Sequence, residues 1–340
     1  MLDYCGRRIH KLRISITNKC NLNCFYCKPS SISTKANTNM SSDEFVDIIT
    51  VLVDSADIDE IRITGGEPSI SPHLEPITNA IGKFNSIKKF AITSNGLTLL
   101  KYLPMLKENN CTNINLSIDS LIPHKFHKIT GGGDLKQVLK LIDQGQKLGF
   151  KIKINIVVMK DINDDELVDF VIFSAQKGIE VRFLELIRMG GVLENFDRYY
   201  FPFNFNNLWS HLNLLINKQP NRKINFSITK KTEDAIDSTS SNFMIKINNL
   251  SNNNLSNNNS SIANIGIISS TSTPFCHSCS RLRLDSEGNL RACLMSNEDE
   301  VVNLRNIKHT DYMNIIKKIT LSKPTLRSIK SSNYMSDIGG

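Results

Sequence analysis

Two groups of three cysteines are the residues best suited to chemistry in this 340-residue chain: Cys20, Cys24 and Cys27 near one end, Cys276, Cys279 and Cys293 near the other. Disulfide cysteines rarely cluster like this, and the N-terminal stretch has no apolar segment typical of a secretory signal. Metal or iron–sulfur ligation is therefore the expectation. The first group is spaced x3 then x2. A zinc site wants four protein ligands, and common electron-transfer [4Fe–4S] sites use four cysteines. Three thiolates leave one iron without a protein ligand, free to bind a cofactor or substrate. The second group, spaced x2 then x13, suits a second cluster of that kind. The alternative is a zinc Cys3His site using His277, which sits awkwardly inside the x2 turn. Cys5 and Cys111 are left over and read as packing residues.

Other side chains near these groups fit an anionic, nucleotide-like ligand. Arg281 and Arg283 are two residues apart, so both can project from one side of a strand as a phosphate clamp. The turn Gly65-Gly66-Glu67-Pro68 permits close backbone approach to a ligand, and Glu67 can accept hydrogen bonds from an ammonium group.

Positioning these residues requires a regular scaffold. Up to about residue 190, strand-sized runs at 11–16, 60–64, 89–93, 113–118, 151–158 and 180–184 alternate with amphipathic helical patterns. One helix opens on a capping box, Ser41 to Glu44, followed by Phe45, Ile48, Ile49, Leu52 and Val53. Repeated βα units imply a parallel sheet with right-handed crossovers, here an open or partial barrel. The strand ends carry polar residues: Arg62 and Thr64, Thr93 to Asn95, Ser117 and Asp119, Lys153 and Asn155, Arg182 and Glu185. The C-terminal mouth of a parallel barrel is where sites form.

Beyond residue 190 the pattern weakens, and 248–260 is nearly all Asn and Ser, which reads as a flexible surface insertion. No stretch approaches the ~20 apolar residues of a membrane span. The formal charge of +8 suits an anionic partner, a phosphorylated small molecule or nucleic acid, or simply a solvated basic surface.

The CxxxCxxC after the first strand, with Tyr26 in the aromatic position, resembles the radical S-adenosylmethionine superfamily. Together with Leu12-Arg13-Ile14-Ser15-Ile16-Thr17, Arg62 to Pro68, Thr93 to Gly96, Leu116 to Asp119, Lys153 to Asn155, Arg182 to Glu185, the second group with Arg281 and Arg283 between its cysteines, and the terminal Gly339-Gly340, the chain closely resembles the MoaA family. These are GTP 3′,8-cyclases of molybdenum cofactor synthesis, which are lyases.

The resemblance implies an incomplete (β/α)6 TIM-like barrel at 1–225 and a C-terminal region at 226–340 that carries the second cluster. It implies two [4Fe–4S] clusters, one on each cysteine group. It also implies S-adenosylmethionine held by Tyr26, Gly66, Glu67, Ser117 and Ile187. GTP would be held by Arg13, Arg62, Thr93, Lys153, Arg182, Arg281 and Arg283, with its guanine at the second cluster. A 5′-deoxyadenosyl radical would take hydrogen from ribose C3′, and C3′ would then join guanine C8. The double-glycine tail would reach the active-site pocket. An electron donor, a downstream cyclic pyranopterin monophosphate synthase and a homodimer are the further implied partners, with no membrane or nucleic acid. The expected compartment is cytoplasm, or the stroma or matrix of an organelle encoding its own copy. Lys28 and Ile187 depart from the family, which has methionine at both places. A peptide-modifying radical enzyme with an auxiliary cluster would usually carry more C-terminal cysteines. A non-catalytic metal protein would leave the GGEP turn and the polar strand ends unexplained.

Overall fold

The structure is a computed structural model that describes residues 1–27, 39–218, 225–231, 237–248, 261–305 and 307–325. The first half of the chain follows the βα pattern: β1 (Lys11–Ser15), α1 (Ser42–Ala56), β2 (Glu60–Thr64), α2 (Leu74–Ile81), β3 (Lys89–Ser94), α3 (Leu103–Glu108), β4 (Cys111–Ser117), α4 (Pro123–Thr130), α5 (Leu135–Lys147), β5 (Lys151–Val158), α6 (Leu167–Lys177) and β6 (Glu180–Glu185). Then come α7 (Phe196–Tyr199), α8 (Phe205–Asn217), β7 (Asn225–Lys230), β8 (Ser241–Asn248), β9 (Ser261–Ile268), β10 (Arg281–Leu284), β11 (Asn289–Arg291), β12 (Val302–Asn303) and α9 (Tyr312–Leu321).

The capping box at α1 forms as its sequence predicts. The Ser41 hydroxyl accepts from the Glu44 N–H at 3.2 Å, and the Glu44 carboxylate accepts from the Ser41 N–H at 2.7 Å. Phe45, Ile48, Ile49, Leu52 and Val53 are all buried.

Among the described residues, the twelve strands join one sheet in the order β12-β11-β10-β1-β2-β3-β4-β5-β6-β9-β8-β7. The six expected strands are parallel neighbours in chain order, so the incomplete barrel is present. Two further strands lengthen the parallel run: β10 pairs parallel with β1, and β9 pairs parallel with β6. Sequence reading missed both, because each comes from the C-terminal region and pairs with a strand far from it in sequence. The flanks do not pair with each other, so the lumen keeps an open side.

Strand alternation sorts side chains between helices and lumen. Leu12, Ile14, Ile61, Ile63, Ile154 and Phe183 are fully or nearly fully buried in the core against the helices. The opposite positions, Lys11 and Arg13, Glu60 and Arg62, Lys153 and Asn155, line the lumen. The polar face therefore runs down to the N-terminal strand ends, beyond the C-terminal halves that the sequence patterns singled out.

Buried carboxylates organise the loops at the mouth. Glu67, Asp119, Glu166 and Glu185 are each no more than 2% exposed. Glu185, at the end of β6, accepts from the Tyr200 hydroxyl (2.9 Å) and from the N–H groups of Phe203 (3.2 Å), Thr271 (2.6 Å) and Ser272 (2.8 Å). At the far end of the Thr271–Ser272 segment, the Ser280 carbonyl accepts from the N–H groups of His10 and Lys11 at the start of β1. One segment thus crosses the open side from β6 to β1, and it carries Cys276 and Cys279. Glu185→Leu should lower unfolding stability by about 3 kcal/mol, because it leaves several buried donors without an acceptor; urea denaturation followed by circular dichroism measures it.

Candidate active site

The lumen is a cavity of about 620 Å³ with all six clustered cysteines in its wall. Cys20, Cys24 and Cys27 lie in the loop beyond the C-terminal end of β1. Cys279 lies two residues before β10, whose Arg281 is the register partner of Lys11, the first residue of β1. β11 returns antiparallel with Arg291 opposite Arg283, which brings Cys293 back to the level of Arg281. The two groups therefore face the lumen from different levels, one beyond each end of β1. That strand has five residues, and at about 3.3 Å per residue it separates them by on the order of 15 Å along its axis.

The first cysteine loop is held by close packing. A side chain at Gly66 would collide with the carbonyl of Lys19. Gly190, at φ +66°, lets the loop after β6 come so near that a Cβ would stand 2.9 Å from the Cys27 carbonyl oxygen. Donors are aimed at the sulfurs: Leu22 N–H at 3.4 Å and Asn95 Nδ2 at 3.9 Å from Cys20 Sγ. The second group has the Met295 N–H 3.4 Å from Cys293 Sγ and Arg281 Nη2 3.6 Å from Cys279 Sγ. Burial pushes the Cys279 thiol up, but Arg281 and Lys323 outweigh it and bring it down to about 5.

These donor sets fit iron–sulfur clusters. All six thiols are free, and each group presents three of them to the cavity with hydrogen-bond donors on the sulfur. Among the described residues no three His, Cys, Asp or Glu side chains gather around a single metal ion. A four-iron cluster spreads its cysteine ligands over different irons, so it does not need such a gathering. His277 is exposed and lies outside the cavity wall, which removes the fourth ligand of the zinc alternative.

Between the cysteine groups the wall is strongly cationic. Among the described residues, nine lysines and arginines line the cavity against three carboxylates. Arg283, Arg13 and Arg62 are register partners on three adjacent strands. Burial, then the neighbouring Arg283, Arg62 and Arg281, holds the Arg13 guanidinium well below its usual range. Burial and adjacent arginines bring Arg62 and Arg283 down to about 10. Lys153 is lowered by burial and by Arg182, although both contact Glu180, at 2.7 and 2.5 Å. Thr93 and Ser117 complete the polar wall, and the Thr93 hydroxyl and Asn155 Oδ1 are buried with no hydrogen-bond partner. Such a wall is built to receive several negative charges.

Tyr26, Gly66, Ser117 and Ile187 line the cavity at the first cysteine group's end or along its wall. Tyr26 donates to Asp119 at 2.6 Å. Ile187 joins an apolar cluster with Met189, Cys293 and Met295. Glu67 is the exception. Its carboxylate is fully buried, outside the cavity wall, and accepts from Ser69 N–H (2.9 Å) and Oγ (2.5 Å), Ser94 Oγ (2.8 Å) and Asn95 N–H (2.7 Å). It ties the β2 and β3 ends together and presents no exposed oxygen to the cavity. Cys111 is packed in the core as expected, whereas Cys5 is exposed because the N-terminal turn leaves it in solvent. Lys28, residues 249–260 of the Asn-rich insertion, and Gly339 and Gly340 lie outside the described residues. Lys11, Asp237 and Lys323 also line the cavity and escaped the sequence reading. Lys11 could have been found by stepping two residues back from Arg13; nothing local marked the other two.

Gly66→Ala should displace the first cysteine loop and remove that cluster while sparing the second. Iron and labile sulfide would then fall from about eight to about four per chain.

Residues 14–173 match the Radical SAM superfamily, and residues 179–327 match Molybdenum Cofactor Synthesis C. The chain is 34% identical over 341 residues to the GTP 3′,8-cyclase of Synechocystis sp., covering all of this chain and 95% of that one. It is 32% identical over 350 residues to the GTP 3′,8-cyclase of Alkaliphilus oremlandii, covering the whole of both. It is 34% identical over 300 residues to the mitochondrial GTP 3′,8-cyclase of Arabidopsis thaliana, covering 86% of this chain and 69% of that one. In fold it is similar to Streptococcus suis SuiB bound to S-adenosylmethionine, with a TM-score of 0.58 at 14% identity, over 90% of this chain and 62% of that one. The chain belongs to the GTP 3′,8-cyclase family of radical S-adenosylmethionine enzymes.

Proposed function

We propose that this chain converts GTP to (8S)-3′,8-cyclo-7,8-dihydroguanosine 5′-triphosphate, joining ribose C3′ to guanine C8 in the first step of molybdenum cofactor synthesis. The observation that carries the reading is a cavity walled by two three-cysteine groups with crowded arginines between them. Cys20, Cys24 and Cys27 hold one [4Fe–4S] cluster, and Cys276, Cys279 and Cys293 hold the other. With S-adenosylmethionine bound, the first cluster supplies a 5′-deoxyadenosyl radical.

The side chains then have separable roles. Tyr26, Gly66 and Ser117 position the cofactor, with Ile187 as an apolar wall. Arg13, Arg62, Thr93, Lys153, Arg182, Arg281 and Arg283 hold the nucleotide, whose triphosphate relieves the repulsion among the guanidiniums. Burying those cations away from water strengthens their hold on the phosphates. The lumen wall, with the 271–280 segment across its open side, also limits access of solvent and stray hydrogen donors to a reactive carbon centre. Residues 1–225 generate the reactive species, and residues 226–340 close the side of the lumen and hold the base.

No helix among the described residues is long and apolar enough to cross a membrane. An electron donor, a cyclic pyranopterin monophosphate synthase acting on the product, a homodimer and a cytoplasmic or organellar-matrix location remain proposals that rest on family resemblance. Gly339 and Gly340 are proposed to reach the same pocket.

Anaerobic reconstitution followed by incubation with S-adenosylmethionine, dithionite and GTP tests the reading. Formation of 5′-deoxyadenosine that depends on GTP is expected; tight zinc binding without cofactor cleavage contradicts it. Arg283→Ala should weaken GTP binding at least about tenfold, the loss of a charge-assisted contact, while iron content stays unchanged.

A further inference from the structure

Lys323 follows α9 and is only 6% exposed, an unusual place for an ammonium group. Among the described residues no carboxylate pairs with it. Its Nζ donates to the Arg281 carbonyl at 2.7 Å and to the Ala292 carbonyl at 2.6 Å, and its charge is felt at the Cys279 thiol. Arg281 lies two residues from Cys279, and Ala292 adjoins Cys293. One cation therefore ties together the backbone beside two of the three cysteines.

The third cysteine is tied to the same point. Arg7, paired with Asp3 at 2.6 Å, donates to the carbonyls of Cys276, Pro324 (3.0 Å) and Lys323 (3.1 Å). Both Arg7 and Asp3 are buried. The chain's first residues and the segment after α9 thus close around the second cysteine group.

A buried cation without a carboxylate is costly unless another negative group faces it. Carbonyl dipoles alone could be satisfied by a neutral donor. A second cluster on the three thiolates would be the negative group that Lys323 faces. We infer that Lys323 is a positioning residue for the second cluster, holding Cys279 and Cys293 in place and offsetting the negative charge that the cluster gains when it is reduced. The inference rests on the reading that Cys276, Cys279 and Cys293 carry a [4Fe–4S] cluster.

A Cys24→Ser background isolates the second cluster in the full chain. Reconstituted anaerobically, it should hold about four iron; absence of iron there would overturn the cluster reading itself. Within that background, dithionite titration followed by electron paramagnetic resonance gives the midpoint potential. Lys323→Met should make reduction at least tenfold less favourable, a negative shift of about 59 mV for one electron. Lys323→Arg should restore most of it. Loss of iron from the Met variant with retention in the Arg variant also supports a required cation. An unchanged potential at full iron content overturns the inference, because a residue that merely caps two carbonyls would lower thermal stability without moving the potential. Equal loss of iron from both variants overturns it as well.

Discussion

Three arginines crowded side by side in the lumen wall set the terms for the rest of the molecule. Arg283, Arg13 and Arg62 are register partners on β10, β1 and β2, and neighbouring strands stand only about 4.8 Å apart. No carboxylate stands within ion-pair distance of Arg13 or Arg62 among the described residues, and both guanidiniums are lowered by burial and by one another. Such crowding opposes folding, so the scaffold must hold it by packing. The outward faces of the same strands do so, with Ile14, Ile61, Ile63 and Leu282 buried in the core. An anion in the lumen removes the strain, and binding energy and specificity then come from the same charges.

The arrangement also explains why the C-terminal third is built into the barrel. An incomplete barrel leaves a side open, and a charged lumen open to water would lose the low dielectric that gives its charges their hold. β9 and β10 extend the parallel run at its two edges, and the 271–280 segment crosses between them. The covering element brings its own cysteines and Arg281 to the cavity. Closure and the second half of the site are one piece of chain.

Much of this could be read from residue order, and the limits were physical. The six core strands show a period of two, and β2 and β5 have the ends that their patterns suggest, Glu60–Thr64 and Lys151–Val158. The cysteine spacings and the Arg281–Arg283 pair are local, so they were visible as well. A carboxylate after two glycines looks ligand-directed in sequence, whereas in the fold Glu67 is buried and accepts from nearby N–H and hydroxyl groups. The parallel pairings of β9 with β6 and of β10 with β1 join residues more than 80 positions apart in sequence. Lys323 and Asp237 reach the cavity through tertiary packing, which leaves no periodic trace.

The central claim is that the two cysteine groups hold cofactor and nucleotide against one another across one lumen. Deuterium at ribose C3′ of GTP tests it most directly. Mass spectrometry of the 5′-deoxyadenosine formed with wild-type protein should find that deuterium in the product. If 5′-deoxyadenosine forms without label while GTP is consumed, the nucleotide is not held where this geometry puts it.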